Sequence, residues 1–169
     1  MSTDWAAVYL ATYADLVRFL YRKVWDADQA QDLAQETFVR ALDHAPENPR
    51  AWLFTVARNL ARDAARTVLR RRKHLALLKS EADVDPPAAP DALVTAETAE
   101  RASAVRRALE QLGERDREAL LLWDAGFNYE EIAAQLDLAL GSVGTTLARA
   151  RRRLVEAYER EEGGHVASG

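Results

Sequence analysis

Two stretches of this sequence gather cations at spacings that could hold a polyanion. After Pro49, the residues Thr55, Arg58, Asn59, Arg62, Arg66, Arg70 and Lys73 recur mostly every three or four positions, and Asp63, at the margin, is the single acid between Arg50 and His74. On a helix this spacing makes one basic stripe. A merely soluble helix face usually mixes signs for i,i+4 pairing, which this one hardly does, so it suits a phosphate backbone. Farther along, Ser142, Thr145, Ala148, Arg149 and Arg152, with Arg153 at the margin, fall opposite Val143, Leu147, Ala150 and Leu154. Small residues at the start of such a helix allow close approach to base edges, and the later Arg residues can reach phosphates or guanine. Without the turn that precedes this helix, a solvated basic face would be the preferred reading.

A third group has the opposite sign. Asp28, Asp32, Gln35, Glu36, Val39 and Asp43 fall on one side of a helical stretch, with Leu33, Ala34, Ala41 and Leu42 mostly on another. This side should not touch DNA. Asp32 and Glu36 are like charges four residues apart, a cost of a few tenths of a kcal/mol that a basic protein partner would relieve. Arg40 can relieve part of it internally, and an ordinary charged face remains the alternative.

Other chemistry finds little support. The chain has no Cys, and His44, His74 and His165 make no ligand spacing, so no metal site or cofactor is expected. No nucleophile, base and orienting partner are grouped in sequence, which argues against an enzyme. The formal net charge of −4 argues against a general nucleic-acid coat protein, but a phosphate backbone feels the local stripe within a Debye length of about 8–10 Å. No apolar run approaches the ~20 residues that span a bilayer, and Met1-Ser2-Thr3-Asp4-Trp5 lacks the order of a signal peptide, so a cytoplasmic protein without membrane insertion is expected.

The elements that must position these groups are all helices. Gly is scarce, Ala, Leu, Arg and Glu abound, and no sustained period-two run appears. Helices are expected at roughly 4–25 and 28–44, the second opened by a capping box of Asp28 with Gln31. Asn48-Pro49 opens a third, whose inward stripe is read as Leu53, Val56, Leu60 and Ala64. Residues 80–97 form an acidic, Pro-rich linker with no Lys or Arg, expected to be extended or mobile. Asn128 and Glu131 offer another capping box before Ile132, Ala133 and Leu136, and Asp137-Leu138-Ala139-Leu140 interrupts the pattern before a helix from near Ser142. Short helix, tight turn and longer helix make a helix-turn-helix, although an ordinary helical hairpin shares the pattern. The expected layout is a first domain at 1–79, the linker, a second domain at 98–162 and a disordered tail at 163–169.

Together these segments resemble the extracytoplasmic-function sigma factors of the sigma-70 family. Asp32-Leu33-Ala34-Gln35-Glu36-Thr37-Phe38 is similar to that family's Asp-Leu-x-Gln-Glu-x-Phe run, and Ala51-Trp52-Leu53-Phe54-Thr55-Val56-Ala57-Arg58-Asn59 to its Trp-Leu-x-x-Ile-Ala-Arg-Asn run. Leu112-Gly113-Glu114-Arg115-Asp116-Arg117 resembles its Leu-Pro-Glu-Arg start, with Gly113 in place of the usual Pro, and Tyr129-Glu130-Glu131-Ile132-Ala133 its helix-turn-helix entry. The resemblance implies a monomer when free that binds core RNA polymerase, through the β′ clamp coiled coil and the β flap, and promoter DNA. It gives Asp32, Gln35 and Glu36 to polymerase docking, Arg58, Asn59, Arg62 and Arg66 to the minus-ten element, and Ser142, Thr145, Thr146, Arg149, Arg152 and Arg153 to the minus-thirty-five element. The loop from Asp43 to Asn48 would capture a base flipped from the non-template strand. Trp52 could stack on DNA or pack into the core. Many relatives carry Val-Lys-Ser-Arg where this chain has Val143-Gly144-Thr145-Thr146, which removes two cations and shifts affinity toward Arg149, Arg152 and Arg153. The resemblance also admits an anti-sigma factor as a partner.

A stand-alone helix-turn-helix regulator would explain residues 128–155 but not the acidic face or the first domain. An RNA-binding or scaffold protein would need only the basic stripe.

Overall fold

A computed structural model of the chain describes residues 2–78 and 96–166, which fall in two compact units, Met1–Pro90 and Asp91–Gly169. Every regular element among the described residues is a helix. In the first unit α1 (Trp5–Val24), α2 (Ala27–Ala41) and α3 (Pro49–Leu78) pack mutually. Asp4 caps α1 by accepting from the Ala7 N–H at 3.1 Å. Trp25, in the left-handed region at φ 56°, ends it. The chain then turns at once into α2, whose cap is Asp26 and not Asp28: its carboxylate accepts from Gln29 N–H at 3.1 Å. The expected Asp28–Gln31 box is therefore displaced by two residues, because Asp26 has the extended backbone that a cap requires. The helix also stops at Ala41, three residues before the expected end.

Asn48 opens α3 as expected, its side chain accepting from Ala51 N–H at 3.1 Å. The inward face of α3 departs from expectation. Leu53, Phe54, Ala57, Leu60 and Ala61 are buried, whereas Val56 and Ala64 are only half-buried. The helix is rotated by roughly 60° from the expected stripe on a wheel of 100° per residue. Phe54 sets the rotation: fully buried, it meets Phe19 of α1 edge-on with ring centroids 5.0 Å apart. Burying a large aromatic outweighs a half-exposed Val.

The second unit holds α4 (Ala96–Glu110), α5 (Glu114–Asp124), α6 (Tyr129–Leu136) and α7 (Leu140–Val166). The expected linker lies outside the described residues from 80 to 95, while its last two positions, Ala96 and Glu97, belong to α4. α7 begins two residues before the expected Ser142 and continues through Gly163 and Gly164, which corrects the expected disordered tail as far as Val166. Its far end is fastened to α4 and the residue that follows it: Arg107 meets Glu161 at 2.7 Å and Gln111, just past the end of α4, donates to Glu161 at 2.9 Å. These ties hold the turn before the glycines and let the helix run on, since propagation costs far less than nucleation. Residues 167–169 lie outside the description. The core of this unit is Ala104, Ala108, Leu109, Leu112, Leu121, Leu122, Ile132, Val143, Leu147 and Ala150. No described helix is long and apolar enough to cross a membrane.

Candidate nucleic-acid interface

In the first unit α2 and α3 present faces of opposite character. α2 buries Ala30, Leu33, Ala34, Thr37, Phe38 and Ala41. The buried Thr37 hydroxyl is satisfied by donating to Leu33 O at 2.7 Å, a bond that lets a β-branched polar residue sit in the core. This burial turns Asp32, Gln35 and Glu36 outward, all exposed. Glu36 pairs with Arg40 at 2.8 Å, the internal relief expected from sequence. Leu42 does not join the buried side: it and Val39 are each 65% exposed and extend the acidic face with apolar surface.

The loop joining α2 to α3 is pinned rather than free. His44 N–H donates to Ala41 O at 2.9 Å, and its ring Nδ1, facing Arg40 O at 2.9 Å, must carry the proton to make that bond. Trp5 Nε1–H donates to His44 O at 3.1 Å. Trp52, half-buried, lies 5.0 Å from the His44 ring and 6.1 Å from Trp5, so it belongs to a small aromatic cluster that holds the loop. Sequence reasoning missed this cluster, because its members are 39 residues apart at the Trp5–His44 bond and share no local pattern.

On α3, Asn59, Arg62 and Arg66 are exposed along one side, continued by Arg70 and Lys73. Arg58 is not among them. It is 7% exposed, and the rotation set by Phe54 carries it off the outward stripe, so its assignment to the minus-ten surface is corrected.

In the second unit the helix-turn-helix is complete. Asn128 accepts from Glu131 N–H at 2.9 Å while the Glu131 carboxylate accepts from Asn128 N–H at 2.9 Å, the reciprocal box expected at the start of α6. Asp137 takes the left-handed conformation at φ 53°, and Leu138 N–H returns to Ala133 O at 2.9 Å, making the tight turn into α7. Val143, Leu147 and Ala150 are fully buried as expected. Thr146, at 5% exposure, is buried with them, which corrects its place among the DNA-facing residues; it lies a step around the helix from Val143 and Ala150, on the packed side. Ser142, Thr145, Ala148 and Arg152 are exposed.

Arg149 and Arg153 are committed within the unit. Asp116 of α5, its side chain 4% exposed, takes Arg149 Nη2 on Oδ1 at 2.7 Å, and Arg149 Nε at 3.3 Å and Arg153 Nη1 at 2.8 Å on Oδ2. The Arg149 hydrogen bond, against the cost of burial and with help from Arg153, holds the Asp116 carboxyl below its ordinary value, and the same bond pushes the Arg149 guanidinium up. Across α7, Arg151 lies over the Trp123 ring at 5.5 Å, and Trp123 is 5.5 Å from Tyr129. The role of Asp116 was hidden in the sequence by the charged run Glu114-Arg115-Asp116-Arg117-Glu118, which reads as solvated.

A three-helix unit with an acidic face beside a basic helix, together with a helix-turn-helix unit, is the architecture expected of a DNA-binding transcription factor. The comparisons give the class its name. Residues 8–73 match the family model described as Sigma-70 region 2, and residues 102–154 match Sigma-70, region 4. The ECF RNA polymerase sigma factor EcfG of Rhodopseudomonas palustris is 35% identical over 151 residues, covering 86% of this chain and 80% of that protein. The RNA polymerase sigma factor YlaC of Bacillus subtilis is 30% identical over 158 residues, covering 87% of each. The structure of the sigma factor RpoE in complex with the anti-sigma factor NepR from Bartonella quintana aligns with a TM-score of 0.67 and 28% identity, covering 92% of this chain and 97% of that one. The chain belongs to the extracytoplasmic-function branch of the sigma-70 family. It is a sigma factor that partners core RNA polymerase and directs promoter-specific transcription initiation, and a stand-alone regulator is disfavoured because both sigma regions lie in one chain.

Proposed function

We propose that Asp32, Gln35 and Glu36 dock the chain on the β′ clamp coiled coil, with the exposed Val39 and Leu42 adding apolar contact, while Asn59, Arg62 and Arg66 receive the unpaired non-template strand of the minus-ten element. The observation that carries this reading is the division of labour between α2 and α3: one neighbour exposes carboxylates, the other a run of cations and an amide. The pinned loop at 43–48 lies between them, as a pocket for a flipped base requires. In the second unit, Ser142, Thr145 and Arg152 face the minus-thirty-five duplex, Arg149 and Arg153 meet its phosphates from the flank, and the β flap is the polymerase contact. The chain catalyses nothing itself and works in the cytoplasm with the polymerase. An anti-sigma factor, the class of partner present in the Bartonella structure, is proposed to hold it inactive by covering the same exposed apolar residues.

Strand opening separates this reading from simple duplex binding. Asn59→Ala and Arg66→Ala should slow promoter melting more than they weaken initial binding, as read by permanganate reactivity of unpaired thymines beside a band-shift measurement. If both variants melt the promoter at the normal rate, these residues are not the melting surface.

A further inference from the structure

We infer that Asp116 is a positioning residue for promoter discrimination: it holds Arg149 and Arg153 on one flank of α7 and so leaves Arg152 as the mobile cation at the centre of the exposed face. The inference rests on the reading of that face as the one that meets duplex DNA. Four arginines occupy positions 149 to 153, and three of them are anchored: Arg149 and Arg153 on Asp116, Arg151 over Trp123. Arg152 makes no hydrogen bond or ion pair with any described residue, and on the helical wheel it lies between Thr145 and Ala148. Asp116 and Trp123 are seven residues apart on α5, which places them on the same face about 10 Å along its axis. One helix thereby restrains both flanks of its neighbour.

The carboxylate of Asp116 is too enclosed to be a surface pairing. Its two oxygens accept three N–H groups, and both guanidiniums keep other donors toward solvent, Arg149 with 37% and Arg153 with 53% of the side chain exposed. The cluster therefore carries a net single positive charge in fixed geometry, where two loose cations would otherwise stand. Loose arginines bind any phosphate, and added sequence-independent affinity reduces discrimination even as it strengthens binding.

The test uses the whole chain with core polymerase on two duplexes: an upstream element selected by the wild-type holoenzyme from a randomised library, and its scrambled version, each titrated between 50 and 200 mM salt. Asp116→Asn should raise affinity for the scrambled duplex several-fold at low salt, steepen the salt dependence by about one unit of slope and lower the preference for the selected duplex. Arg149→Lys keeps the charge but not the fork, leaves Asp116 its Arg153 partner, and should move all three readouts the same way. It decides the matter if Asp116→Asn loses helix content. Variants that weaken both duplexes equally at unchanged slope would show that Asp116 only stabilises the fold, and would overturn the inference alone. A wild-type holoenzyme with no preference between the duplexes would overturn the reading of the α7 face, and the inference with it.

Discussion

Reversing Glu36 to Lys should separate docking from folding. In the structure Glu36 is exposed and, among the described residues, pairs with Arg40 at 2.8 Å, with the two side chains 48% and 55% exposed. An exposed i,i+4 pair of this kind contributes about 0.3–0.5 kcal/mol. Its loss is offset, because Asp32, four residues earlier, now faces a Lys instead of a like charge. The net change in folding stability should lie within about 0.5 kcal/mol, a shift in Tm of no more than ~4 °C for a unit of this size. Against a basic partner surface the same reversal replaces an attraction by a repulsion, and a loss of about 2–3 kcal/mol corresponds to a roughly 30- to 150-fold rise in Kd. Fluorescence anisotropy of labelled protein titrated with core polymerase, beside a thermal melt by circular dichroism, reads both quantities. An unchanged Kd with an unchanged Tm would refute the assignment of the α2 face. A Tm lowered by ten degrees or more would refute the claim that Glu36 has no structural role.

Other outcomes follow from the second unit. Leu147→Ala, at a fully buried position, should destabilise it by about 2–5 kcal/mol, whereas Arg152→Ala should leave its melt unchanged and reduce the salt slope of upstream duplex binding by about 0.9. Gly144→Ala should stabilise α7 by up to ~1 kcal/mol, since a Cβ there would meet Tyr129 Cε2 at an ordinary 3.5 Å; an unchanged or lower Tm would contradict this. The carboxyl of Asp116 is held below its unfolded value of 3.8, so its contribution is present above that pH and is lost as pH falls through the lower folded value. Thermal melts below about pH 4 should therefore fall more steeply for the wild type than for Asp116→Asn.

The helical class, the two-unit layout and the helix-turn-helix were legible because capping residues act locally: Asn48 and the Asn128–Glu131 box lie where their spacing puts them. The facing of α3 was less so. Alanines on both sides of that helix blur its apolar stripe, and the direction is set by Phe54 meeting Phe19, a contact from another helix that no wheel contains. Arg58 was misplaced for that reason. Thr146 failed differently, as a short polar residue whose burial depends on how α7 seats against its neighbours. The Asp116 fork spans 33 and 37 residues in sequence, so nothing local distinguishes this acid from the solvated ones beside it. The acidic side of α2 was legible at Asp32, Gln35 and Glu36, because a buried stripe as complete as Ala30, Leu33, Ala34, Thr37 and Phe38 leaves only one side for them, whereas Leu42, read on the apolar side, is exposed.

Reconstituted transcription separates a sigma factor from a plain duplex binder: purified chain and bacterial core polymerase on a promoter library, with permanganate mapping of unpaired thymines in the selected templates. Transcripts should depend on the chain and start at selected promoters, with thymine reactivity in the minus-ten region that Glu36→Lys reduces, at sub-saturating polymerase, by weakening docking. Tight binding of the chain alone to duplex DNA, with no polymerase-dependent opening on any template, would contradict this expectation.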